Sequence, residues 1–314
     1  MRLLVTGGAG FIGSNFVTRT LDTRAGVEIT VLDSLTYAGS RANLKPFSDS
    51  LKFVVGDIRD ADLVDELIAC SDLVVHFAAE SHNDNSLKNP NLFYDTNVMG
   101  TLNVANSCVT HDVRLHHIST DEVFGDLPLG SNDMFDLETA YNPSSPYSAS
   151  KAAGDHLIRS WVRSFGLRAT ISNCSNNYGP RQHWEKLIPN TIKSLVEGGK
   201  AAVYGSGINV RDWIHVDDHV DGIWLAAEKG SIGSTYLFGA RETQSNLYVV
   251  RAILEILGFG EDSIDFVKDR PGHDLKYAID PSVAERELAW VPLNTSILEG
   301  LPNIISWYVA KLRA

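Results

Sequence analysis

Short apolar runs alternate with longer stretches of helical periodicity through the first half of the chain, which predicts strands alternating with helices. Residues 2–6, 28–32, 51–55, 73–77 and 114–119 read as strands. Residues 11–21, 91–110 and 145–165 read as helices, the last with Pro146 in its first turn, where a missing N–H costs nothing. A further strand covers 167–172. This order predicts an α/β fold, a Rossmann-like doubly wound parallel sheet whose ligands lie beyond the carboxyl ends of the strands. Past it, Pro180, Pro189, Gly198-Gly199 and Gly205-Ser206-Gly207 punctuate shorter elements. Helices are expected at 187–196, 217–228, 246–257 and 297–312, and strands at 202–204 and 211–216. Residues 1–175 are therefore expected as the Rossmann domain and 176–314 as a smaller mixed α/β domain, some of whose strands return to the first sheet.

At 314 residues, 44% of them apolar, the chain can fill ordinary cores, and its length suggests about two domains. A net charge of -12 argues against nucleic acid as a partner, because phosphate-backbone affinity needs clustered Lys and Arg. Any anionic ligand must be gripped by local basic groups and helix N-termini. Cys70, Cys108 and Cys174 show no CxxC spacing, which fits a reducing compartment. The chain enters its first strand at Arg2 without a signal-peptide pattern, and no run of about 18 apolar residues occurs. The expectation is a soluble, cytoplasmic protein with no membrane partner.

The chemistry begins at Gly7, Gly10 and Gly13, a G-x-x-G-x-x-G trio between the first strand and a helix opened by Phe11 and Ile12. Such a loop lets the backbone approach a pyrophosphate while the helix N-terminus faces the anion. Asp33 ends the second strand about 20 residues later, where a carboxylate bonds ribose hydroxyls and favours NAD over NADP. Asp57-Ile58 suit an adenine edge, and Ala78-Ala79 permit close cofactor approach. The fifth strand runs into Thr120-Asp121-Glu122, and Tyr147-x-x-x-Lys151 puts a phenol and an ammonium on one helix face. A neighbouring ammonium and the charge of nicotinamide are expected to lower the phenol's pKa, so that it can take a hydroxyl proton. Two adjacent acids in a closed site can hold different pKa values, one protonated and one ionised.

Each of these also fits a plain structural role: the glycines a tight turn, Asp33 or Asp121-Glu122 a cap, Tyr147 a core residue. Asn177 likewise fits a turn, Asn246 an N-cap and Arg211 an ion pair. His215 and His219 are spaced four apart, but Asp217-Asp218 reads as a helix start between them and no third ligand presents itself, so no metal is expected. His116-His117 read as structural residues of a strand.

The glycine trio, Asn97, Thr120 and Tyr147 with Lys151 resemble the extended short-chain dehydrogenase/reductase superfamily, the NAD-dependent epimerase/dehydratase family. Ser119-Thr120-Asp121-Glu122-Val123 and the run Ser172-Asn173-Cys174-Ser175-Asn176-Asn177-Tyr178-Gly179-Pro180 resemble its nucleotide-sugar 4,6-dehydratases. So do Glu185-Lys186-Leu187-Ile188-Pro189, Arg211-Asp212-Trp213 and Asp269-Arg270-Pro271-Gly272-His273-Asp274, so that the likeness spans nearly the whole chain. Epimerases of the superfamily lack the consecutive acids. The resemblance implies NAD as cofactor and a nucleotide-diphosphate hexose as substrate, dTDP-glucose first and a UDP-hexose second. C4 oxidation would use Thr120, Tyr147 and Lys151; Glu122 would remove the C5 proton and Asp121 protonate the departing C6 hydroxyl, before hydride returns to C6. A UDP-sugar 4-epimerase and a non-catalytic dinucleotide sensor stand as further alternatives.

The cofactor set the resemblance implies is Gly7, Gly10, Phe11, Ile12, Gly13, Asp33, Ser34, Leu35, Thr36, Asp57, Ile58, Ala78, Ala79, Ser81, Thr96, Tyr147, Lys151 and Asn177. The substrate set is Ser81, Thr120, Asn176, Lys186, Leu187, Tyr204, Arg211, Asn246, Arg270 and His273, with Arg211 and Arg270 suited to the diphosphate by their guanidinium forks. A homodimer packed through helices 91–110 and 145–165 is implied as well. The chain departs from the family pattern at Asn83 and Asn85, usually Val and Arg, at Phe124, usually Tyr, and at Arg181, His183, Trp184, Leu275 and Lys276. These departures fall around the expected substrate pocket and leave the cofactor loop intact.

Overall fold

The computed structural model describes residues 1–269 and 271–313; Arg270, expected at the diphosphate, lies outside them. The first half runs β1 (Arg2–Thr6), α1 (Phe11–Thr23), β2 (Glu28–Asp33), β3 (Leu51–Val55), α2 (Ala61–Ala69) and β4 (Leu73–His76). It continues through α3 (Asn83–Lys88), α4 (Pro90–Tyr94), α5 (Thr101–Thr110), β5 (Arg114–Thr120), α6 (Pro146–Phe165) and β6 (Ala169–Cys174). The remainder comprises β7 (Asn176–Tyr178), α7 (Leu187–Val196), β8 (Ala201–Tyr204), β9 (Val210–His215), α8 (Val216–Lys229) and β10 (Thr235–Phe238). It closes with β11 (Thr243–Ser245), α9 (Asn246–Leu257), β12 (Ile264–Val267), α10 (Ser282–Leu288) and α11 (Ile297–Arg313).

Among the described residues the main sheet has seven strands, all parallel, in the order β10-β6-β5-β4-β1-β2-β3. The winding reverses between β1 and β4, and a crevice opens at the carboxyl ends there. Leu3, Val5, Val31 and Val75 face α1 and α8, packing with Phe16, Val220 and Trp224. Leu4, Leu32, Val74 and Leu115 face the other way, onto Ile68, Val104 and Ile158 of α2, α5 and α6. Because helices cover both faces, β1, β2 and β4 are near-continuous apolar runs rather than alternating ones, whereas β5 carries buried His116, His117, Ser119 and Thr120.

Residues beyond 175 contribute to this layer as well: β10 pairs with β6 at Tyr236↔Ser172, and α8 lies beside α1. The rest gathers on a separate core of Tyr178, Ile192, Val203, Ile253 and Leu301, the helical contributions following a three-to-four residue spacing. Two small sheets, β11-β9-β7 and β12-β8, flank it.

The stretch expected as one helix over 91–110 is divided. A π-helical turn, Asp95–Gly100, separates α4 from α5. Its cause is Asn97, buried, whose amide donates to the Glu80 carbonyl and to Ser150 Oγ while its Oδ1 accepts from Glu80 N at 2.8 Å. One extra residue in the turn aims that side chain across to the β4 loop, as such bulges often do at functional sites. The helix expected from 145 is α6, whose N-cap Ser145 forms a capping box with Ser148 and whose end is fixed by Gly166 in the left-handed conformation.

Candidate active site

β1 delivers the chain into Gly7, whose φ of +70° suits glycine, and a Cβ there would lie 2.6 Å from Ala78 N. A Cβ on Gly13 would meet Gly7 O at 2.3 Å, so the third glycine lets α1 close onto its own loop. Gly10 caps α1 without a side-chain acceptor, leaving the first N–H groups of the helix for an anion. Asp33 ends β2 with Oδ2 accepting from Ala9 N at 2.9 Å and Oδ1 from Leu35 N at 2.8 Å. Burial pushes its carboxyl up, against those two bonds. Each oxygen keeps lone-pair capacity for a ribose hydroxyl. Asp57 binds Arg59 through both oxygens. With Ser34, Thr36, Ile58, Ala79, Ser81 and Thr96 these residues wall one end of a cavity of about 300 Å³.

The other end of that cavity is Thr120, Asp121, Glu122, Tyr147, Lys151 and Asn176. β5 ends at Thr120, whose Oγ1 accepts from Glu122 N at 3.3 Å and caps a one-turn helix that turns both acids inward. Asn173 on β6 donates to the Thr120 carbonyl, tying the strand end in place. Asp121 is buried, and burial first, then the charge of Glu122, hold its carboxyl well above the usual range. Glu122 Oε2 accepts from Asn83 Nδ2 at 2.9 Å. Among the described residues Asp121 Oδ2, Ser175 Oγ and Asn176 Oδ1 are buried without a partner, all in residues lining this cavity. Polar atoms left so call for a polar ligand.

Lys151 is buried and donates to the Ile118 carbonyl at 2.7 Å. Burial lowers its pKa while Asp155 opposes. The phenol of Tyr147 is pushed well above its ordinary value, by burial and then by Glu122, with a hydrogen bond from Thr120 opposing. Lowering the phenol therefore depends on a positive charge brought in beside it, as nicotinamide would bring.

The remaining expected residues divide by position. Lys186 reaches the Ser81 carbonyl at 3.4 Å, and Asn177 takes a hydrogen bond from His219 at 2.9 Å. Leu35, Leu187, Tyr204, Arg211, Asn246 and His273 do not line the cavity. Arg211 is buried on β9, with its guanidinium 4.2 Å over the Tyr277 ring and donating to the carbonyls of Val210 and Asp274. Tyr204 contacts Asp84, and its ring meets His273, which bonds Asp269. Asn246 is the first residue of α9, whose N-cap is Ser245. His215 and His219, four residues apart, part company: His215 caps α8 through Asp217 N, whereas His219 is buried and held neutral, its pKa lowered to about 3.

Several contributors escaped the sequence reading. Asp155 accepts from Ser119 of β5, from Tyr141 and from Asn173 of β6. Its place four residues after Lys151 and eight after Tyr147, on one inward helix face, was the available signal. Tyr277, whose ring lies under the Arg211 guanidinium and whose hydroxyl donates to Asp274, had no local pattern to mark it either, whereas Glu185 and Asn83, both named in the sequence, come to the cavity wall and to Glu122 from distant segments.

Fold and site together define an extended short-chain dehydrogenase/reductase with an added acid pair. Residues 4–303 match the family model described as GDP-mannose 4,6 dehydratase, and the chain belongs to that family. It is 56% identical over 311 residues to the dTDP-glucose 4,6-dehydratase of Mycolicibacterium smegmatis, covering 99% of this chain and 94% of the relative. Among solved structures it resembles the dTDP-glucose 4,6-dehydratase DesIV of Streptomyces venezuelae, crystallised with NAD and TYD bound, at a TM-score of 0.95 and 45% identity over 99% and 97% of the two chains. The UDP-glucose 4-epimerase of Thermus thermophilus, solved with NAD, follows at a TM-score of 0.90 and 29% identity over 98% and 99%. The backbone is thus shared with epimerases, and the site must separate the two reactions.

Proposed function

We propose that the chain converts dTDP-glucose to dTDP-4-keto-6-deoxyglucose and water, using NAD as a resident cofactor. The observation that carries this is the pair Asp121 and Glu122 in one cavity with Thr120, Tyr147 and Lys151, the Asp121 carboxyl raised by burial and by the charge of Glu122. Inversion at C4 alone needs no such pair. The names of the 56% identical relative and of DesIV support dTDP-glucose over a UDP-hexose.

When bound along the glycine loop and Asp33, NAD supplies reversible hydride acceptance. The chain's own residues handle the protons. Thr120 bonds the C4 hydroxyl oxygen and Tyr147 takes its proton, with Lys151 supplying positive charge below. The C4 ketone acidifies the C5 proton, which Glu122 removes, while Asp121 gives its proton to the leaving C6 hydroxyl. Glu122 later returns its proton to C5. The proton gained by Tyr147 equals the one released from Asp121, so exchange with solvent restores both groups and the net change is loss of water. We assign residues 1–175, with α8 and β10, to cofactor binding and the remainder to the sugar nucleotide. Tyr94, Met99 and Phe165, exposed apolar residues on the α4–α6 face, support a homodimer through that face. Free Cys70, Cys108 and Cys174 support a cytoplasmic setting, and no helix among the described residues is long and apolar enough to cross a membrane.

Offering dTDP-glucose, UDP-glucose and UDP-N-acetylglucosamine in turn, with products identified by mass and proton NMR, tests the proposal. Water loss from dTDP-glucose first is expected; inversion at C4 without water loss contradicts it. The pH dependence gives a second test. C4 oxidation needs Tyr147 ionised, so its rate rises with pH toward the raised phenol value. Elimination needs Asp121 protonated, so its rate falls as pH climbs through that raised carboxyl value. Single-turnover measurements across a pH series should therefore show opposite slopes for the two steps. Parallel slopes would contradict the division of roles.

A further inference from the structure

We infer that Asn83 is a positioning residue for the elimination, holding one oxygen of Glu122 so that the other meets the C5 proton. The inference rests on Glu122 being the C5 base, as proposed. Asn83 begins α3, anchored by His82, whose ring accepts from Asn85 N, and by Ser86 Oγ, which donates to the Asn83 carbonyl at 2.7 Å. Its Nδ2 donates to Glu122 Oε2 at 2.9 Å. Its Oδ1 accepts from Ser145 Oγ at 2.8 Å.

Ser145 caps α6, and its Oγ already accepts from Ser148 N at 3.1 Å. That hydroxyl can donate or accept, and Ser148 Oγ lies 2.9 Å from it as well, but an ionised Glu122 carboxylate only accepts, so the amide turns its donor end to Glu122 and leaves Oδ1 to accept from Ser145. A chain of bonds thus runs from the first turn of α6, the helix bearing Tyr147 and Lys151, through Ser145 and Asn83 to the Glu122 carboxylate. Both half-reactions are set by one helix terminus. The last torsion of a glutamate is broad and nearly two-fold, so a carboxylate without this anchor swivels among orientations, and only some place an oxygen in line with C5.

The test compares Asn83→Leu, which removes the donor, with Asn83→Asp, which keeps the shape and turns an acceptor toward Glu122 in case the leucine variant fails to fold. A hydrogen bond to a charged group is worth about a tenfold rate effect when lost at the transition state. Both variants are therefore expected to form dehydrated product about tenfold more slowly, with the 4-ketohexose accumulating. C4 oxidation should stay within about twofold of wild type, and KM should barely change. Deuterium uptake at C5 from heavy water should fall in step with product. Dehydration at the wild-type rate overturns the inference, and so does an equal fall in both steps, which would mark a structural role. Glu122→Gln, run alongside, separates the two readings. If it too eliminates water at the wild-type rate, the assignment of the base has failed; if it stalls while both Asn83 variants do not, only the role of Asn83 has.

Discussion

Glu122→Gln should oxidise C4 of the sugar and then stop, losing about a thousandfold in dehydration, the middle of the range for a positioned general base. The amide keeps the size of the side chain and still offers an oxygen to Asn83 Nδ2, so the anchoring of the loop survives. What is lost is the group that takes the C5 proton. The charge lost with it acts on both neighbours. The carboxylate of Glu122 is the second cause, after burial, of the raised pKa values of Asp121 and Tyr147. Without it the phenol ionises more readily, so C4 oxidation in the variant should match or exceed wild type while elimination collapses. The signature is an accumulating 4-keto hexose by mass, with no deuterium entering C5 from heavy water. Unimpaired dehydration would remove Glu122 as the base.

That sign could not be read from the sequence. The spacing of Tyr147 and Lys151 suggested a phenol lowered by its neighbouring ammonium together with nicotinamide, yet in the folded chain burial first, and then the charge of Glu122, raise it. Local pattern did carry a great deal. The glycine trio, the acid ending β2 and the Pro146 start of α6 each rest on a backbone requirement met within a few residues, and each lies where its spacing put it. The order of alternating strands and helices was enough to place the crevice.

Features built from distant segments were not legible. Asn83 and Glu122 are 39 residues apart, and nothing around either marks the other. The π-helical turn at Asn97 answers a hydrogen-bonding demand from Glu80 on another loop, which periodicity within 91–110 does not record. Arg211 illustrates the reverse. Its residue type suits a diphosphate, but the fold seats it under Tyr277 with backbone carbonyls as acceptors. A diphosphate arriving from the cavity would have to compete with those carbonyls for the fork.

Tyr147→Phe should fail one step earlier than the Glu122 variant, slowing C4 oxidation itself by about a thousandfold. The substitution removes only a hydroxyl. The ring is buried and meets Phe93 edge-on at 6.3 Å, a contact phenylalanine retains, so the helix and the cavity wall should stay as they are. The hydroxyl shares a hydrogen bond with Thr120, a contact of the kind worth about 1 kcal/mol net, so the melting temperature should fall by no more than a few degrees. The kinetic trace is the discriminator. No ketohexose should form, no reduced-nicotinamide absorbance should appear, and recovered substrate should carry no deuterium at C5, since that proton is acidified only after C4 is oxidised. The residual rate should also lose the upward slope with pH that the phenol confers, because Thr120 and Lys151, which remain, do not replace a base that gains strength as protons leave. Normal oxidation in this variant would remove Tyr147 as the base. A flat residual rate with intact cofactor binding would instead show that Thr120 and Lys151 bind and orient the alcohol without taking its proton.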